Sequence, residues 1–122
     1  MAKIQGTFFR NEGDTPRVGL NHLCGVYAKT HYNNCVKADL WKVYFEGERR
    51  NAVMVATSNT TKSFIGDTGI VGMHAYSLLS AHEVTHKGSS LKLMKLRNPW
   101  GRQEWNGAWS DKSQEWKDAT DD

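Results

Sequence analysis

Apolar and polar positions follow no sustained period over residues 1 to 37, a stretch rich in Gly, Asn, Asp and Thr. That stretch reads as irregular or loop-rich. From Ala38 to Arg49 the pattern changes. Leu40, Trp41, Tyr44 and Phe45 recur at helical spacing and predict a short helix, weakened near its end by Gly47. Ala52-Val53-Met54-Val55-Ala56 is a short apolar run and predicts a buried strand. Ser58-Asn59-Thr60-Thr61-Lys62-Ser63 is a polar connection.

Past Gly69 the text is apolar and small from Ile70 to Ala81, and His86-Lys87-Gly88-Ser89-Ser90 reads as a turn. Leu91 to Leu96 is mostly alternating, the mark of a half-buried strand. Together these predict an antiparallel hairpin. A loop follows at Arg97-Asn98-Pro99-Trp100-Gly101, where Pro99 and Gly101 forbid regular structure. The fold class expected is α+β, dominated by antiparallel sheet.

A chain of 122 residues fits one domain. The net charge of +3 comes from 16 basic and 13 acidic residues that are scattered along the chain. A nucleic-acid footprint needs a concentrated basic face, so no nucleic-acid partner is expected. No stretch reaches the length of a membrane span. The start, Met1-Ala2-Lys3-Ile4-Gln5-Gly6, lacks an apolar leader segment, which points to a cytoplasmic protein with its two cysteines, Cys24 and Cys35, reduced.

Three constellations compete for chemistry. His82-Glu83-Val84-Thr85-His86 matches the H-E-x-x-H zinc pattern, which needs a helix to present both histidines on one face. Val84 and Thr85 are β-branched and favour a strand instead. His22, Cys24, His31 and Cys35 fall within fourteen residues, enough for a structural zinc site, but not at the spacings of a common finger. The third is His74 with Asn98, at the two ends that a hairpin brings together. A histidine that takes a proton from a thiol needs a second group to hold its tautomer and ring orientation, and an asparagine carbonyl does this. Trp100 would cover that hydrogen bond. A lone histidine on an apolar strand is more often a core residue, and spacing leaves all three constellations open. Trp105, Trp109 and Trp116, of five tryptophans in all, read as packing surface.

Gly72-Met73-His74-Ala75-Tyr76-Ser77, then Leu96-Arg97-Asn98-Pro99-Trp100-Gly101, then Glu104-Trp105-Asn106-Gly107-Ala108-Trp109-Ser110-Asp111 closely resemble the calpain family of papain-like cysteine peptidases. The resemblance runs from about Gly69 to Trp116 and more weakly back through Leu40-Trp41-Lys42-Val43. It implies residues 1–38 as an N-terminal segment and 39–122 as a partial second subdomain of a papain-like protease core. By position, His74 would be the general base and acid, Asn98 its orienting partner and Trp100 their shield. Glu104 and Asp111 match early ligands of a calcium site in calcium-dependent members.

The implied activity is calcium-regulated endopeptidase cleavage of protein or peptide substrates. The family's nucleophile sits in Q-x-G-x-C-W, and neither Leu23-Cys24-Gly25 nor Asn34-Cys35-Val36 has those neighbours. The cysteine-bearing first half is therefore an expected partner, and the chain alone is expected to be inactive. The chain stops at Asp122, before the family's acidic loop and last strands, so a shortened subdomain is expected. The alternative is a calpain-like protein that binds or regulates without catalysis.

Overall fold

The computed structural model describes residues 15–32, 40–58 and 67–121. The chain divides into two units, Met1–Leu40 and Trp41–Asp122. In the first, helix α1 spans Pro16–Cys24, inside the stretch that reads as irregular. Pro16 sits in the opening turn, where its fixed φ suits a helix and its missing N–H is not needed. Gly25 ends the helix in the left-handed conformation, with its N–H on the Asn21 carbonyl. The helix escapes the hydrophobic pattern because it has no buried residue.

The second unit holds nearly all of helix α2, Leu40–Arg49, and a sheet of four strands. The strands are β1 (Met54–Thr57), β2 (Ala75–His86), β3 (Ser89–Arg97) and β4 (Ala119–Asp121). β2 is central. β3 pairs antiparallel along one side of it, while β1 and β4 share the other side, at the start and the end of β2. The α+β class with an antiparallel sheet is as expected from the pattern. No helix among the described residues is long and apolar enough to cross a membrane.

β2 is longer than the apolar run suggests. It continues through His82–His86, and the turn shrinks to Lys87 and Gly88, at φ 50° and 77°. Left-handed values at both positions match the hairpin turn whose twist fits two antiparallel strands. A bulge at Leu79 interrupts the register between Leu78 and Ser80. Beyond it, Ala81 and Val84 point to opposite faces, yet both are buried. The sheet is thus covered on both sides here. The Ala81 face is also that of Lys92, whose ammonium lies 5.6 Å from the Trp41 ring of α2. The Val84 face carries His86 and the tryptophans that follow β3.

Between β1 and β4 the edge of β2 has no strand beside it among the described residues. There the Ala81 N–H donates to the Glu48 carboxylate of α2 at 2.8 Å. This satisfies a backbone donor that would otherwise be costly to bury. Gly47, the weak point of the predicted helix, lies against Met54, whose sulfur a Cβ at this position would meet at 2.6 Å. Burial among the described residues is thin. The buried apolar residues described are Val71, Leu78, Ala81 and Val84.

Candidate active site

His74 immediately precedes β2 and Asn98 immediately follows β3. The hairpin register pairs Ser77 with Arg97, so one further step sets Asn98 level with Tyr76. Tyr76 and His74 are two apart and share a face. Asn98 therefore sits diagonally across from His74, within side-chain reach. The contact is direct: His74 Nε2 lies 2.8 Å from Asn98 Oδ1.

The Asn98 amide has a fixed orientation. Its Nδ2 donates to the carbonyls of Arg102 at 2.7 Å and Gln103 at 3.2 Å. Its Oδ1 also accepts the Trp100 N–H at 3.1 Å. An amide oriented in this way offers His74 only its oxygen, so Nε2 carries the proton and Nδ1 is the basic nitrogen of the neutral ring. Asn98 is 5% exposed and is the buried polar residue of the described chain. A buried amide must find partners for all its polar atoms, and this one does.

Two aromatic rings flank the imidazole. Trp100 lies 4.3 Å from it, centroid to centroid, tilted by 49°. Tyr76 meets it edge-on at 4.8 Å. The Tyr76 hydroxyl oxygen accepts the Val71 N–H at 2.8 Å. Trp100 is still 53% exposed, so its outer face is open to a neighbour.

The loop after Asn98 is fastened to the segment before His74. Asn106 donates from its backbone to Thr68 O at 3.1 Å and from its side chain to Asp67 O at 2.6 Å. Gly69 approaches the Glu104 carbonyl so closely that a Cβ would sit 1.9 Å from it. Farther on, the Trp105 ring folds over Gly107, where a Cβ would meet it at 2.1 Å, and its indole N–H donates to Ala108 O at 2.7 Å. The Glu104 to Asp111 string thus needs its glycine beneath its first tryptophan. Trp109 contacts His86 edge-on at 5.2 Å and Trp116 at 5.0 Å, so these rings pack over the end of β2.

Neither of the other constellations assembles among the described residues. His82 and His86 lie on strand β2, not on a helix. His82 Nε2 lies 2.7 Å from Ser80 Oγ, and His86 packs on Trp109. Cys24 is exposed at the end of α1, and Cys35 lies outside the described residues. Among the described residues no three His, Cys, Asp or Glu side chains converge as a metal site would require. Glu104 and Asp111 are both exposed. Two carboxylates fall well short of the roughly six to eight oxygens that calcium takes, so the described donors do not complete a calcium site.

Ser58 and Tyr76 belong to this site although the hydrophobic pattern gives neither a role. Ser58 reads as the start of a polar connection. Its place becomes visible only from the register of β1 on β2, which sets it level with His74.

The chain matches the model of the calpain family of cysteine proteases over residues 1–122. Human calpain-9 is 27% identical over 120 residues, covering 95% of this chain and 17% of that protein. The calpain-1 catalytic subunit of Pongo abelii is 28% identical over 122 residues, 97% of this chain and 17% of that protein. That of Macaca fascicularis is 29% identical over 119 residues. The chain belongs to the calpain family of cysteine proteases. It spans about a sixth of the length of these relatives, 17% in each case. The family match reaches residue 1, well before Leu40, where the motif resemblance fades.

Proposed function

We propose that this chain supplies the acid–base half of thiol-dependent peptide hydrolysis, as the histidine-and-asparagine subdomain of a papain-like core. The observation that carries this reading is the His74–Asn98 contact at 2.8 Å, with the asparagine amide oriented by two backbone carbonyls. A proton already committed at Nε2 leaves Nδ1 to take the proton of an approaching thiol and later return it to the leaving amine. Trp100 limits water at the Nε2 contact.

The nucleophile comes from a cysteine-bearing first half of the core, the partner that the open face of Trp100 and the thin core would meet. Protein or peptide is the substrate class, and the cytoplasm is the compartment. Calcium regulation, with Glu104 and Asp111 as early ligands, rests on the motif resemblance. These residues would hold the ion only with further oxygens from elsewhere.

A fluorogenic peptide assay with calcium and reductant tests the reading. The chain alone should give no turnover, because proton transfer without a positioned thiolate yields only a small part of the acceleration. Mixed with the cysteine-bearing half of a calpain core it should turn over, and His74→Ala should abolish this. No turnover from a well-formed pair would favour a non-catalytic binding role. Turnover by the isolated chain, lost with His74→Ala and with Cys24→Ser or Cys35→Ser, would show a complete site and overturn the half-enzyme reading.

A further inference from the structure

We infer that Ser58 is a positioning residue for His74, clamping the turn from Val71 to His74 and holding the imidazole on Asn98. The inference rests on the reading of His74 as the proton-transfer group.

Ser58 follows β1 and lies level with His74. Its N–H donates to His74 O at 3.0 Å, continuing the β1–β2 ladder by one bond. Its hydroxyl adds what the ladder does not. The oxygen accepts the His74 N–H at 3.2 Å, and the hydroxyl proton goes to Val71 O at 2.6 Å. The second carbonyl within reach, His74 O at 3.3 Å, is the longer contact for that single proton. Val71 is buried and is anchored at its other end by the Tyr76 hydroxyl, 2.8 Å from its N–H. Both ends of the turn are therefore tied to side chains that converge on His74.

The turn needs such a clamp. Met73, the residue directly before His74, adopts φ 48° and is 72% exposed. A side chain in the left-handed region is disfavoured by roughly five- to thirtyfold. Met73 buries little to offset this. A strained residue persists only where its surroundings over-determine it, and here they do so one residue from the imidazole. Losing the Ser58 hydroxyl leaves the Val71 carbonyl and the His74 N–H without that partner, and lets Met73 relax toward ordinary φ. The His74 ring then swings away from Asn98.

Proton–nitrogen correlation spectra of the His74 ring in the 122-residue chain test this directly, at about pH 8, where an ordinary imidazole is neutral. The chain itself should show the Nε2–H tautomer. Ser58→Ala should lower the Nε2–H to Nδ1–H ratio by roughly three- to tenfold, the scale of one net hydrogen bond. Ser58→Thr, which keeps the hydroxyl, should restore it. In a Met73→Gly background the loss caused by Ser58→Ala should shrink, because the strain it releases has been removed. That double variant also carries the comparison if Ser58→Ala alone does not fold. An unchanged ratio in Ser58→Ala, or an equal loss in both backgrounds, would overturn the inference. A mixed tautomer in the unmodified chain would instead sink the His74–Asn98 reading itself, so the two failures are distinct.

Discussion

Asn98 holds His74 through one atom while its other atom is held by the chain: Oδ1 lies 2.8 Å from His74 Nε2, and Nδ2 donates to Arg102 and Gln103 carbonyls. The loop that follows β3 therefore orients the imidazole. Gly101 donates its N–H to Asn98 O at 3.1 Å, which closes the tight turn and carries the chain back beneath the asparagine. Pro99 and Trp100 have the same purpose from two sides. Proline stops the strand so that the turn can form, and tryptophan lies over the contact that the turn creates.

Substituting Asn98 should therefore disturb two things at once. Asn98→Ala strips partners from the carbonyls of Arg102 and Gln103 and from the Trp100 N–H. A loss of about 1–3 kcal/mol in denaturant unfolding is expected. Asn98→Asp should do no better, although it keeps the volume, because a carboxylate cannot donate to two carbonyls. If Asn98→Asp unfolds at the same denaturant concentration as the parent, the network described for Nδ2 is wrong.

Much of this geometry is legible in the sequence because it is local. Two strands joined by a tight turn must return to their starting level, so residues flanking them meet, and His74 and Asn98 flank β2 and β3. The details that escape are those set by contacts between distant segments. The bulge at Leu79 leaves no mark in an apolar run. The strand through His86 is legible from β-branched Val84 and Thr85, and only the exact length of its turn is blurred, because Lys87-Gly88 is a weaker signal than Asn-Gly. Ser58 is invisible until β1 is laid beside β2. Helix α1 depends on its proline and glycine ends rather than on a buried stripe.

Gly69 and Gly101 offer a paired test of how the site loop is docked. Both have positive φ, 82° and 66°. A Cβ at Gly69 would fall 1.9 Å from the Glu104 carbonyl, whereas none of the neighbouring atoms lies within 4 Å at Gly101. Gly101→Ala should cost about 1 kcal/mol, the conformational term alone. Gly69→Ala should cost a further ~1–3 kcal/mol, because backbone must move to admit the methyl. Thermal or denaturant unfolding of both variants decides it, and equal losses would contradict the close approach.

Acid should weaken the packing over the end of β2. The Glu115 carboxyl is held below the ordinary glutamate value, chiefly by its own backbone N–H, next by the Ser113 hydroxyl, and less by the Trp109 backbone and His86. A lowered folded value means that the unfolded chain binds the proton more readily. The contribution is present above the ordinary glutamate range and is lost as pH falls through the lowered value. Glu115→Gln should thus be less stable than the parent near neutrality, with the difference vanishing in acid. Unfolding curves at several pH values check this, and a difference that persists into acid would assign the effect to packing.

Calcium affinity in this chain should be weak, and the reason lies in donor count. Glu104 and Asp111 are exposed carboxylates on a loop in which several backbone carbonyls are already engaged. The Ala108 and Ser110 carbonyls accept indole N–H groups from Trp105 and Trp116 at 2.7 and 2.8 Å. The Ser110 carbonyl also accepts the Ser113 N–H at 2.9 Å, so both of its lone pairs are taken. Two carboxylates and such shared carbonyls do not reach the roughly six to eight oxygens of a well-formed site. Titration calorimetry should accordingly give a dissociation constant of about a millimolar or weaker, the range of sites with few charged ligands. Glu104→Gln and Asp111→Asn should then change little in the isolated chain, yet abolish calcium stimulation once a segment supplying the remaining oxygens is joined to it. Micromolar binding by the isolated chain, lost in either variant, would show that local groups complete the site and that calcium acts on this chain directly.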